Sequence, residues 1–214
     1  MLGREDARGG GVTTRISPVL PHAVSFLRPL LGIAVLVAVA PTRESAVLLP
    51  LVLLGCLTDW VDGELARRSA TQTLRGRLVD NFCDFAFLLC LFVFLAQAEV
   101  WTPPVWGRLA RQWDGANWLP VYALLASFGV YFLRLCLEMA GGREPARSAK
   151  GHAAGVCNYI LVVVGAVEML PGIDLGPWLL EPAMVTVALL NVLAVPENVR
   201  LMFHRGGGAP RMPA

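Results

Sequence analysis

Apolar residues in this chain come in six long blocks, at approximately 22–41, 46–66, 77–100, 118–140, 152–171 and 176–200. An α-helix needs about 20 mostly apolar residues to cross the hydrocarbon core of a bilayer, and each block is close to that length. Polar residues collect between the blocks. Pro41-Thr-Arg-Glu-Ser45 reads as a tight loop, and Gly141-Gly142 as a helix stop after the fourth block. The longest connection, 101–117, leads into Trp118 and carries Trp101, Trp106 and Trp113 around Pro103-Pro104, a pattern that suits a belt at headgroup level. The pattern predicts an all-α fold, an integral membrane bundle of six transmembrane helices over residues 21–204. A tail over 1–20, containing Gly9-Gly10-Gly11, precedes it, and a Gly/Pro tail over 205–214 follows. The first block is longer than a signal h-region and follows a mixed-charge tail, so it is expected to stay in the mature protein.

Composition agrees with that layout. Of 214 residues, 56% are hydrophobic and only 16% charged, too apolar for an ordinary soluble domain. The five cysteines (Cys56, Cys83, Cys90, Cys136, Cys157) all lie in apolar blocks, are odd in number and lack CxxC spacing, so they read as packing residues. The net charge of +2 matters less than its placement. Arg4, Arg8 and Arg15, then Arg67, Arg68, Arg75 and Arg77, then Arg143, Arg147 and Lys150, then Arg200, Arg205 and Arg211 fall on one side of a six-span layout. Only Arg43, Arg108 and Arg111 fall on the other, while Arg28 and Arg134 lie inside blocks. Basic residues collect on the cytoplasmic side, which predicts that both termini are cytoplasmic.

The chemistry is expected where the second and third blocks meet. Asp59, Asp62, Asp80 and Asp84 stand at the edge of apolar sequence, where each buried carboxylate costs several kcal/mol, on the order of 3 by insertion scales. Asp59 and Asp62 are three apart on one helix face, and Gly76, Asp80 and Asp84 are spaced by four along one stripe of the next. Packed antiparallel, the two stripes bring four acceptor-only groups towards one point, the donor set that Mg²⁺ or Mn²⁺ prefers. Gly63, Ala66 and Gly76 leave room beside that point, and Arg67, Arg68, Arg75 and Arg77 ring its mouth and suit a polyphosphate. Taken singly, an acid at a helix end is a solvated cap, small residues are packing devices and loop arginines are topology signals. Those readings together leave the cluster of four acids unexplained.

Asp59-x2-Asp62-Gly63-x2-Ala66-Arg67-x8-Gly76-x3-Asp80-x3-Asp84 resembles the full signature of the CDP-alcohol phosphotransferase family, with every fixed position matched. The family resemblance extends to the six-span layout. It implies that Asp59, Asp62, Asp80 and Asp84 surround two divalent ions, Mg²⁺ or Mn²⁺, and that Asp84 is also the general base for the acceptor hydroxyl. It implies that Gly63, Ala66 and Gly76 line a cytidine nucleotide, with Arg67 near its phosphates. Ser25-Phe-Leu-Arg28-Pro also resembles the family's first span, which helps bound the nucleotide site. The activity so implied moves a phosphatidyl group from CDP-diacylglycerol to a small polar alcohol and releases CMP, at the cytoplasmic face of the cell inner membrane. Partners would be the CDP-linked lipid, the alcohol and membrane lipid, with no nucleic acid; a homodimer is common in the family.

The acceptor is less legible. Family members that use glycerol phosphate or inositol phosphate commonly carry Lys or Arg after the fourth Asp, where this chain has Phe85. Arg134, Arg147 and Lys150 are the candidate acceptor contacts, joined by Glu138, Arg143 and His152. Arg134 and Glu138, four apart, equally suit a plain intrahelical ion pair. Asn158, Tyr159 and Asn191 read as interhelical hydrogen-bonding positions. Two rival readings stand beside the lead: transfer from CDP-choline or CDP-ethanolamine to diacylglycerol, and a cation-binding membrane transporter. Transporters commonly show paired halves, and no internal repeat stands out here.

Overall fold

A computed structural model describes residues 19–40, 45–69, 74–100, 116–141 and 148–203. Among the described residues the fold is all helical. Helix α1 (Val19–Ala34) widens into a π-helical turn at Val35–Val39; α2 spans Ser45–Ser69 and α3 Leu74–Gln97. A 3₁₀ turn at Ala116–Trp118 leads into α4 (Leu119–Ala140), followed by α5 (Ala149–Glu168) and α6 (Pro177–Phe203). Each apolar block of the sequence thus corresponds to one helix. The tails over 1–18 and 204–214 and most of the connection at 101–117 lie outside the described residues.

Helices α3 to α6 are long and apolar enough to cross a membrane, and α1 has a shorter apolar stretch, Ala23–Val39. The chain is an integral membrane protein by this measure. Its outward surface agrees: Phe26 and Leu30 on α1, Val37 on the π-helical turn, and Leu57 on α2 are more than half exposed. In water such a surface is an aggregation hazard; in lipid it faces its natural solvent.

Helix α3 is the centre of the bundle. Its Phe87, Leu91 and Phe92 are wholly buried and pack with Val35 of the π-helical turn, Val52 of α2, Val162 of α5 and Val187 of α6. Close approach depends on glycine at Gly55 of α2, where a Cβ would lie 2.2 Å from the Phe87 ring. That ring is buried and stiff, so even alanine there would push α2 away from α3.

Pairs of touching residues set the direction of every helix. Ser25 meets Asp80 and Gly32 faces Cys90, so α1 and α3 run parallel. Arg28 meets Asp59, while Gly55 faces Phe87, so α2 runs against both. Phe128 stacks on Phe85 and Tyr131 meets Asn81, so α4 opposes α3. Tyr159 meets Asp84 and Gly165 faces Leu95, so α5 follows α3. Asn191 donates to Asn158 at 2.8 Å, and Glu197 accepts from the Ala149 and Lys150 amides, so α6 opposes α5. The bundle is therefore up-down throughout. The starts of α1, α3 and α5 and the ends of α2, α4 and α6 lie at one end, the end that holds the acids.

Local chemistry explains the ends that matter. Ser148 caps α5 by accepting from the Gly151 amide at 2.9 Å. Glu197 of α6 accepts from two more first-turn amides of α5, locking α5 and α6 together at the acid end. Gly141 ends α4, its amide donating to the Leu137 carbonyl at 3.0 Å, as the Gly141-Gly142 pair predicts; Gly142 lies outside the described residues.

Candidate active site

The four aspartates meet. Asp59 and Asp62 come from the last turns of α2, and Asp80 and Asp84 from the first turns of α3, as their spacing predicts. What joins them is Arg28 of α1, whose side chain is fully buried. Its Nη1 bonds Asp59 at 2.8 Å and also Asp84; its Nη2 bonds Asp80 at 2.5 Å and also Asp62. Each terminal nitrogen thus bridges one acid of α2 and one of α3. Ser25, one turn earlier on α1, places its hydroxyl 2.8 Å from Asp62 and 3.0 Å from Asp80.

The acids differ in their access to solvent. Asp62 is buried, whereas the Asp59 and Asp80 side chains are 45% and 38% exposed and face the open end. Asp84 is also bonded from α5, whose Tyr159 hydroxyl donates to its Oδ1 at 3.1 Å. One residue from Asp80, Asn81 donates to the Tyr131 hydroxyl of α4 at 2.8 Å. All of α1, α2, α3 and α5 therefore place a side chain on the acid cluster, and α4 is tied beside it.

The donor set suits hard divalent cations. Four carboxylates carry a formal charge of −4, and the single guanidinium among them offsets only one unit, so the cluster attracts further positive charge. Among the described residues no three acids, histidines or cysteines close on one ion as they stand. The carboxylate oxygens instead point at the guanidinium. The residues fit the chemistry of a divalent site, with Arg28 standing between its ligands.

Of the other predicted site residues, Gly76 lies in the first turn of α3, beside the mouth. Gly63, Ala66 and Arg67 fall in the last turns of α2, where the helical backbone alone is described. Arg134 is buried on α4; its Nε donates to Glu138 at 2.9 Å and its Nη1 to Asn198 of α6 at 2.7 Å. The intrahelical pair that the spacing allows is thus present. Lys150 is exposed in the first turn of α5, as is His152. Arg143 and Arg147 lie outside the described residues.

Sequence reasoning left two parts of this arrangement unassigned. Ser25 and Arg28 resemble the family's first span, but their contact with the acids crosses more than 30 residues of sequence. Tyr159 reads only as an interhelical hydrogen-bonding position, and the structure directs its bond onto Asp84. Hydrogen bonds to charged groups contribute about 1.5–3 kcal/mol. Tyr159→Phe is therefore expected to lower turnover about tenfold and the melting temperature by about 5 °C. Rates of CMP release by the purified variant check this, and a wild-type rate would show that Asp84 needs no such support.

The bundle is thus apolar on its outer surface and carries its acid cluster at one end. A family model described as CDP-alcohol phosphatidyltransferase matches residues 18–195. The chain belongs to that family and is a transferase. No curated protein sequence is matched by this chain. Two solved structures of phosphatidylinositol phosphate synthase from Mycobacterium tuberculosis share the fold, each at 18% identity and a TM-score of 0.56. One, in complex with manganese and citrate, is matched over 90% of this chain and 87% of its own. The other, with CDP-DAG bound, is matched over 91% and 92%.

Proposed function

We propose that the protein transfers a phosphatidyl group from CDP-diacylglycerol to the hydroxyl of a small polar alcohol, releasing CMP. The observation that carries this reading is the convergence of Asp59, Asp62, Asp80 and Asp84 at one end of the bundle, in a chain of this family. Manganese and CDP-DAG in the two structural neighbours support the metal and the donor. The basic residues that crowd the acid end of an up-down bundle support a site, and both termini, on the cytoplasmic side of the inner membrane.

In this reading two ions, Mg²⁺ or Mn²⁺, held by the four aspartates would neutralise phosphate charge and acidify the attacking hydroxyl. Asp84 accepts the hydroxyl proton, steadied by Tyr159. The alcohol oxygen bonds to the phosphorus next to the lipid, and the bond from that phosphorus to the CMP phosphate oxygen breaks. CMP leaves with the electron pair. Gly63, Ala66 and Gly76 give the nucleotide room along the two stripes, and Arg67 holds its phosphates. Arg134, Arg147 and Lys150 orient the acceptor, which arrives from the open end.

Purified protein with Mn²⁺, a panel of alcohols and either labelled CDP-diacylglycerol or labelled CDP-choline tests the reading. CMP release from CDP-diacylglycerol, with the lipid product identified by mass, is the expected result. Release from CDP-choline with diacylglycerol would reverse the donor, and ion flux across vesicles without CMP release would make the protein a transporter.

A further inference from the structure

We infer that Arg28 is the resident counter-ion of the acid cluster, gathering the four carboxylates before metal arrives and withdrawing from their oxygens as ions bind. The inference rests on the two-metal reading above and assigns Arg28 a positioning role that the signature does not contain.

Four carboxylates this close repel one another, most strongly at Asp62, which is buried. The two terminal nitrogens of Arg28 reach all four, each nitrogen bridging α2 to α3. A lysine ammonium is a point charge on a flexible stem and could not span both pairs as a planar fork does. Arg28 thus holds the two acidic stripes in register while no other cation is present.

Because the oxygens aim at Arg28, no three of these acids close on one ion as they stand. A dication and a guanidinium compete for the same lone pairs. The competition is open to incoming ions, because Asp59 and Asp80 are partly exposed while Arg28 is fully buried. Arg28 is also lightly tethered on its inner side: its Nε is buried with no hydrogen-bond partner. Pro29 follows directly, and having no N–H it deprives α1 of the hydrogen bond that would close the turn back to Ser25. The acids hold the guanidinium, and once ions take the acids, little on α1 keeps it in place.

Mn²⁺ binding to the purified full chain, without nucleotide, tests this by electron paramagnetic resonance of free Mn²⁺ alongside thermal melting. Arg28→Gln removes one positive charge from the cluster. It is expected to bind Mn²⁺ about tenfold tighter than wild type, to melt lower without metal, and to gain more melting temperature from Mn²⁺. Arg28→Lys keeps the charge but loses the fork, and is expected to bind Mn²⁺ a few-fold tighter than wild type; it carries the test if the glutamine variant does not fold. Mn²⁺ binding equal to or weaker than wild type in the folded variants overturns the inference alone. A wild-type protein that binds no Mn²⁺ overturns the two-metal reading and the inference with it.

Discussion

Asp84→Asn is expected to lower the rate of CMP release by about 10⁴-fold while the protein still folds and melts close to wild type. A positioned general base contributes about 10²–10⁴-fold, and Asp84 is proposed to serve as a metal ligand as well, so both losses fall on one residue. The substitution is nearly isosteric. An asparagine carbonyl can still accept from Tyr159, whose bond to Asp84 Oδ1 measures 3.1 Å, and so α5 keeps its hold on α3. Arg28 retains Asp59, Asp62 and Asp80, and the cluster loses one of four negative charges, which relieves repulsion within it. Stability and activity should therefore separate. Rates of CMP release from CDP-diacylglycerol at saturating Mn²⁺, set beside thermal melting, measure the two. Activity within tenfold of wild type would remove Asp84 from the role of base and move that role to a neighbour, with Asp80 next in line on the same stripe.

Much of this arrangement was legible in the sequence because it depends on local periodicity. Six apolar blocks became six helices, and residues three or four apart share a helix face whatever surrounds them, so the pairs Asp59/Asp62 and Asp80/Asp84 had to form stripes. That the stripes face each other follows from the short connection between α2 and α3. What spacing cannot show is a partner on another helix far along the chain. Arg28 stands in a different apolar block from the acids, and Tyr159 is 75 residues from Asp84. A physical signal for Arg28 did exist: an arginine inside an apolar block is costly and needs acidic partners. Only Arg28 and Arg134 were so placed, and both proved to be bonded to carboxylates. The π-helical turn at Val35–Val39 had no such signal, since its residues are ordinary helix-compatible apolar ones.

Placement of the acids also bears on how firmly they are held. Because α3 supplies more of the central apolar cluster than any other described helix and also carries Asp80 and Asp84, the candidate site is anchored to the middle of the bundle's packing. Geometry within about 0.5 Å is what positioning catalysis requires, and a central helix supplies it better than a loop. The acid end, by contrast, is bounded by the first turns of α3 and α5 and the last turns of α2, α4 and α6.

Arg134→Met is expected to be the most destabilising single change outside the acid cluster. Arg134 is 1% exposed, donates to Glu138 at 2.9 Å and to Asn198 at 2.7 Å, and so ties α4 to α6. Removing it strands the Glu138 carboxylate, whose Oε2 is already buried without a hydrogen-bond partner, and takes the donor from Asn198. Breaking one partner of a buried ion pair costs about 3–5 kcal/mol, and replacing both partners by apolar residues of similar volume is often neutral. Arg134→Met should therefore fail to accumulate or melt far below wild type, and the double variant Arg134→Met with Glu138→Leu should recover most of the loss. The recovered protein then separates structure from substrate binding. If Arg134 also orients the acceptor, the double variant folds but its KM for the alcohol rises about tenfold while its KM for the CDP-linked donor is unchanged. An unchanged KM for both substrates would confine Arg134 to joining the two helices and leave acceptor binding to Lys150 and Arg147.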